Sequence, residues 1–138
     1  MFFEDAGSLR KFAAGFARGL NAPVCVALYG ELGAGKTEFA RAVIQELCGA
    51  DTIVPSPTFT LVQEYESRVP NSKSRISHFD LYRIKNASEL EEIGFFDAIS
   101  KNIVLVEWPE IAADFLPKNT IRVHIRVKER ERELIINY

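Results

Sequence analysis

The feature that most constrains this chain is Gly30-Glu31-Leu32-Gly33-Ala34-Gly35-Lys36-Thr37, which matches G-x-x-x-x-G-K-[ST], the phosphate-binding P-loop. Its flanks agree with it. Val24-Cys-Val-Ala-Leu-Tyr29 reads as a buried strand leading in. From Lys36 to Cys48, Phe39, Ala40, Val43, Ile44 and Leu47 recur at helical spacing, and Gly49 follows as a stop. Strand, glycine loop and helix are what polyphosphate binding requires. The charge has to meet several backbone N–H groups and the positive end of a helix dipole, and glycine lets the backbone close around it. In this arrangement Lys36 reaches the β- and γ-phosphates and the Thr37 hydroxyl holds Mg²⁺.

At 138 residues the chain has room for one compact core, so a single domain over residues 1–138 is expected. A net charge of −2 gives no overall basic field for nucleic acid, and any contact with RNA is expected to be indirect or local. Cys25 and Cys48 stand at no metal-ligand spacing and read as small buried hydrophobes of a reducing compartment. No apolar run approaches a membrane span and the N-terminus has no basic leader, so a cytoplasmic protein with no membrane partner is expected.

In chain order, Ser8 is expected to cap a helix whose apolar face is Leu9, Phe12, Ala13, Phe16, Ala17 and Leu20, ending near Gly19. Phe2 and Phe3 either cover an adenine or tie the terminus down. Pro55 and Pro57 stiffen the loop after the P-loop helix, and alternation from Phe59 through Tyr65 predicts a strand. Thr58 in this loop is the candidate γ-phosphate sensor, with a rigid connector as the competing reading. Residues 66–75 read as an exposed hairpin turn whose cations are Arg68, Lys73 and Arg75.

Ile76-Ser-His-Phe-Asp-Leu-Tyr82 is the next expected strand. Asp80 near its end suits Mg²⁺ or its waters, or caps the turn, and His78 nearby is either a site neighbour or core. Ser88-Glu-Leu-Glu91 fits a capping box for a short helix ending near Gly94. Ile103-Val-Leu-Val-Glu107-Trp108 reads as a buried parallel strand delivering an acid to the P-loop's edge, with glutamate where aspartate is usual. Glu107 there binds metal directly, binds it through water, or orients the attacking water. The tail alternates: Ile121, Val123, Ile125 and Val127 face inward, while Arg122, His124, Arg126 and Lys128 are solvated. With Leu134-Ile-Ile136 it forms a terminal hairpin.

The blocks Gly30 to Thr37, Ser56-Pro-Thr-Phe-Thr-Leu-Val-Gln-Glu-Tyr65, His78-Phe-Asp-Leu-Tyr-Arg83, Glu89-Leu with Ile93-Gly94, and Val106-Glu-Trp-Pro-Glu110 together resemble one family, the bacterial threonylcarbamoyladenosine biosynthesis ATPases, TsaE or YjeE. The resemblance implies a cytoplasmic ATPase that uses ATP and Mg²⁺ and supports modification of adenosine 37 in tRNAs. It would act with the TsaD and TsaB subunits, which transfer the threonylcarbamoyl group, and its hydrolysis would reset that complex between turnovers. Carried over by position, it implies catalytic roles for Lys36, Asp80, Glu107 and Thr58, and metal contacts for Thr37, Glu107 and Asp80. Nucleotide contacts would come from Glu31, Leu32, Gly33, Ala34, Gly35, Lys36 and Thr37, with Glu110 and Arg132 in a looser nucleotide-edge segment.

Two further functions stay open beside partner-coupled hydrolysis: a small P-loop kinase, and a nucleotide-gated binding module with negligible chemistry of its own. No Asn-Lys-x-Asp or Leu-Ser-Gly-Gly-Gln segment occurs, which disfavours a GTPase and a transporter ATPase. The fold expected is a three-layer α/β P-loop NTPase domain, its mixed sheet parallel around the Val24 and Ile103 strands, with antiparallel hairpins at Phe59 to Asp80 and at the C-terminus.

Overall fold

The computed structural model describes residues 1–3, 5–69 and 74–138. The expected turn residues 70–73, Lys73 among them, lie outside the described residues.

Seven strands form one sheet. They are β1 (Phe2–Phe3), β2 (Val24–Tyr29), β3 (Val62–Glu66), β4 (Arg75–Asp80), β5 (Ile103–Glu107), β6 (Ile121–Lys128) and β7 (Glu131–Asn137), in spatial order β1-β7-β6-β2-β5-β4-β3. β2 runs parallel to β5 and β6, and β4 parallel to β5, so the middle of the sheet is parallel as expected. The β3–β4 and β6–β7 hairpins are antiparallel, and β1 adds an antiparallel edge along β7. The carboxyl ends of β2, β4, β5 and β6 therefore point to one edge, where open α/β sheets bind ligands.

Helices α1 (Ala6–Ala17) and α2 (Lys36–Cys48) cover one face, with Leu9, Phe39, Val43 and Ile44 meeting Val26, Leu28, Leu105 and Ile125. On the other face, α3 (Ala87–Glu92), α4 (Phe95–Lys101) and a 3₁₀ helix (Pro109–Phe115) bring Leu90, Phe95, Ala98 and Ala112 against Ala27, Phe79, Val104 and Val106. β2 and β5 are buried on both faces, which is why they read as unbroken apolar runs. Phe39 is fully buried, and truncation at such a position costs about 3–5 kcal/mol.

Four local expectations are corrected. Helix α1 is capped by Asp5, whose carboxylate accepts from the Ser8 N–H at 2.7 Å, so Ser8 is the capped residue and not the cap. The capping box is Asn86 with Glu89, two residues before the one expected. Asn is as strong a cap as Ser, and the Glu89 carboxylate returns to the Asn86 N–H at 3.1 Å. β3 begins at Val62, because residues 57–60 turn and Leu61 takes φ +69°, leaving Phe59 79 % exposed. On β6, Val123 and Ile125 are buried, whereas Val127 is 47 % exposed, among the exposed last three residues of the strand. Cys25 and Cys48 are free and buried, as expected. Among the described residues, no helix is long and apolar enough to cross a membrane.

Candidate functional site

β2 ends at Tyr29 and the chain turns through Gly30, Gly33 and Gly35, all at positive φ, into α2. A Cβ on Gly30 would lie 2.6 Å from the Ile125 carbonyl oxygen, so the loop can pass β6 this closely only with glycine. Gly35 is the N-cap of α2 and provides no side-chain cap, which leaves the first N–H groups of the helix free of a protein side chain. An anion is the natural partner for such a helix start.

The Lys36 side chain folds back over its own loop. Its Nζ donates to the Gly30 carbonyl and, at 3.1 Å, to the Glu31 carbonyl, and it sits 3.8 Å above the centre of the Trp108 ring. Trp108 takes φ +55° at the end of β5, and this conformation turns the indole toward Lys36 while Tyr82 packs beside it at 4.9 Å between ring centres. Burial pushes the Lys36 ammonium below its ordinary range, and Glu107, Glu110 and Asp80 pull it back up. The loop carbonyls and indole hold the charge where phosphate oxygens would otherwise satisfy it.

A pocket of about 260 Å³ collects Lys36, Thr37, Ser56, Thr58, Asp80 and Glu107. The Thr37 hydroxyl donates to Glu107 at 2.8 Å from Oε1 and 3.1 Å from Oε2. The second Glu107 oxygen also lies 2.7 Å from His78 Nε2, inside the protein. Asp80 has other partners: its Oδ2 accepts from the Thr58 hydroxyl at 3.1 Å and its Oδ1 from the Tyr82 N–H at 2.9 Å. Thr58 and Ser56 share a hydrogen bond of 2.7 Å, and the Asp80 N–H donates to the Leu61 carbonyl at 2.9 Å. The 56–61 loop is thus tied to the end of β4 through both side chain and backbone.

The fold brings Lys36, Thr37, Thr58, Asp80 and Glu107 together, but it spreads the looser nucleotide-edge residues over two further clefts. Glu110, with Glu31 of the P-loop, lines one of about 620 Å³, and Leu32 and Trp108 are shared between it and the pocket of Lys36 and Thr37. Arg132 lines another of about 230 Å³, with Gly33 and Gly35, and its Nε donates to the Ala34 carbonyl at 3.1 Å, bracing the P-loop from β7. Phe2 and Phe3 line none of these three clefts. Phe3 packs on Phe12 at 5.5 Å, and β1 ties the terminus to β7. His124, expected to be merely solvated, stacks on Tyr29 at 4.6 Å and 12° in the wall of the larger cleft. Pairing across β2 and β6 sets this stack, so the alternation within β6 could not reveal it. Among the described residues no group of three His, Cys, Asp or Glu forms a metal cage. Thr37, Glu107 and Asp80 instead offer oxygen donors in one pocket, the donor type that hard cations such as Mg²⁺ take.

The family profile described as "Threonylcarbamoyl adenosine biosynthesis protein TsaE" matches residues 3–134. The tRNA threonylcarbamoyladenosine biosynthesis protein TsaE of Rickettsia prowazekii is 41% identical over 125 residues, covering 91% of this chain and 84% of that protein. The protein of the same name from Haemophilus influenzae is 36% identical over 139 residues, covering 96% and 85%. Among solved structures, the crystal structure of Bacillus subtilis YdiB matches with a TM-score of 0.75 at 26% identity, covering 97% of this chain and 80% of that one. With a P-loop NTPase fold and a profile match across nearly its whole length, the chain belongs to the TsaE family.

Proposed function

We propose that this chain is an ATP hydrolase that supports threonylcarbamoylation of adenosine 37 in tRNA by resetting the TsaD and TsaB transferase, with any tRNA contact indirect. The observation that carries the hydrolytic reading is the 2.8 Å hydrogen bond from Thr37 to Glu107, which joins the P-loop hydroxyl to the strand-end acid. The relatives' names, all in threonylcarbamoyladenosine biosynthesis, carry the pathway.

The P-loop N–H groups and the α2 N-terminus grip the phosphates, and Lys36 leaves the Gly30 and Glu31 carbonyls to meet their oxygens. Mg²⁺, when bound by Thr37 and Glu107, would neutralise charge gathering on the transferred phosphoryl group. Glu107 is the acid best disposed toward that metal or its water, because its carboxylate already holds the Thr37 hydroxyl. Asp80 is bonded to the loop's Thr58 and to the turn at Tyr82, and not to the P-loop, so it acts mainly as a latch on the 56–61 loop. Thr58 would reach the γ-phosphate when that latch opens, and a partner that opens it would raise the rate.

Reconstitution with TsaD, TsaB, tRNA and ATP tests this reading. Phosphate release and many rounds of modification are expected only with this chain present. Modification through many turnovers in its absence would remove the assigned role. Lys36→Ala and Glu107→Ala are each expected to abolish turnover, with Glu107→Ala still retaining nucleotide, and full turnover by both would reject the hydrolase.

The latched loop and the folded-back Lys36 also fit a nucleotide-gated binding module. Phosphate release that stays negligible with both partners present, while partner binding still follows the nucleotide, would favour that second reading.

A further inference from the structure

Glu107 carries one methylene more than the aspartate usual at the end of such a strand, and with it a torsion that the β5 backbone does not set. A neighbouring strand constrains that torsion. β4 and β5 run parallel with Asp80 opposite Glu107 and His78 opposite Leu105, so His78 and Asp80, two residues apart, share one face. Asp80 reaches outward to Thr58 at 3.1 Å. His78 reaches Glu107 with 2.7 Å between Nε2 and Oε2, and the imidazole is fully buried.

The other ring nitrogen decides the direction of this bond. His78 Nδ1 is buried with no hydrogen-bond partner. A proton there would be an orphaned donor, so the ring proton belongs on Nε2 and is donated to Glu107. The Thr37 hydroxyl donates to the opposite oxygen at 2.8 Å. The Thr37 hydroxyl, also 3.1 Å from Oε2, and His78 Nε2 thus hold the carboxylate between them, in a line running from β4 through β5 to the start of α2.

We propose that His78 is a positioning residue for the P-loop site: as an Nε2–H donor it locks the Glu107 carboxylate against the Thr37 hydroxyl and so sets the acid's approach to the metal. This rests on the reading of the pocket as a site for nucleotide with Mg²⁺. A histidine that only filled the core would need no alignment with the acid, and a hydrocarbon of its size would serve equally well. Such a hydrocarbon would leave Glu107 one donor and a free torsion, whereas outer-shell partners that orient a metal ligand change metal affinity or activity by about 10–100-fold when removed.

The test compares His78→Leu with His78→Gln, whose amide can present an N–H at similar reach. ADP binding is followed through Trp108 fluorescence in EDTA and across a Mg²⁺ titration. His78→Leu is expected to raise the Mg²⁺ concentration at half-saturation by about 10–100-fold while binding in EDTA stays at the wild-type level, and His78→Gln is expected to recover most of the shift. If His78→Leu does not fold, His78→Asn, whose amide stops short of Glu107, takes its place and is expected to show the same shift. In a Glu107→Ala background, which removes both acceptor oxygens, the His78 change is expected to add nothing. An unchanged Mg²⁺ midpoint, equal impairment of both variants with and without Mg²⁺, or full additivity with Glu107→Ala would each overturn the proposal. The readout is binding, so absence of ATP turnover in the wild type would remove the hydrolase reading and leave this measurement valid.

Discussion

Asp80 and Glu107 stand opposite each other across the parallel β4–β5 pair, yet their carboxylates serve different segments, Asp80 the Thr58 loop and Glu107 the Thr37 hydroxyl. The last residues of two adjacent strands share a face and an edge, and differ in what the following chain offers them. Asp80 is followed by a turn whose Tyr82 N–H occupies one of its oxygens.

This division predicts separable defects. Asp80→Ala is expected to loosen residues 56–61, raising amide exchange at Leu61 by about tenfold or more, since a hydrogen bond to a charged group is worth about 1.5–3 kcal/mol. Glu107→Ala is expected to leave that exchange unchanged. Equal protection of Leu61 in wild type and Asp80→Ala would show that the loop does not depend on the latch.

Gly30 is a point where backbone touches backbone. Gly30→Ala is expected to destabilise the fold by about 1–3 kcal/mol, because its Cβ would sit 2.6 Å from the Ile125 carbonyl and either the P-loop or β6 has to move. Chemical denaturation reads this directly, and an unshifted midpoint would mean that the close approach is relieved at no cost.

Glu89 predicts an acid-side change confined to α3. The backbone N–H groups of Lys85 and Asn86, at 2.6 and 3.1 Å, hold its carboxyl below the ordinary value of 4.5. A depressed folded-state value means that the contribution is fully present above about pH 4.5 and fades as pH falls through the lower folded value. Carboxyl resonances followed by NMR should therefore show Glu89 titrating below 4.5, with exchange at Lys85 and Asn86 rising over the same range. Titration at the ordinary value would contradict the observed box.

The two thiols should be inert while the protein is folded. Burial pushes Cys25 up to about 12 and Cys48 up to about 11, so thiolate is scarce at both. We expect no labelling by a thiol reagent at pH 8 in the native state and two equivalents after unfolding. Rapid native labelling would place a thiol at the surface.

What the sequence by itself determined was local or periodic. The eight residues of the P-loop, the apolar runs of β2 and β5 and the helical spacing from Lys36 to Cys48 each carry their meaning within a short window, because phosphate binding and burial act on consecutive residues. The same window misjudged Ser8, Ser88 and Phe59, where a neighbouring cap or one residue at positive φ displaced the element. What only the tertiary structure decided lies between distant residues: Thr58 with Asp80, 22 apart, His78 with Glu107, 29 apart, and Arg132 with Ala34, 98 apart. Strand order brings these pairs together, and strand order follows from how the whole chain buries its apolar faces. His78 and Asp80 show the boundary. Their spacing of two put them on one face in the sequence, but only the placement of β5 and the 56–61 loop showed that one of them holds the acid and the other holds the loop.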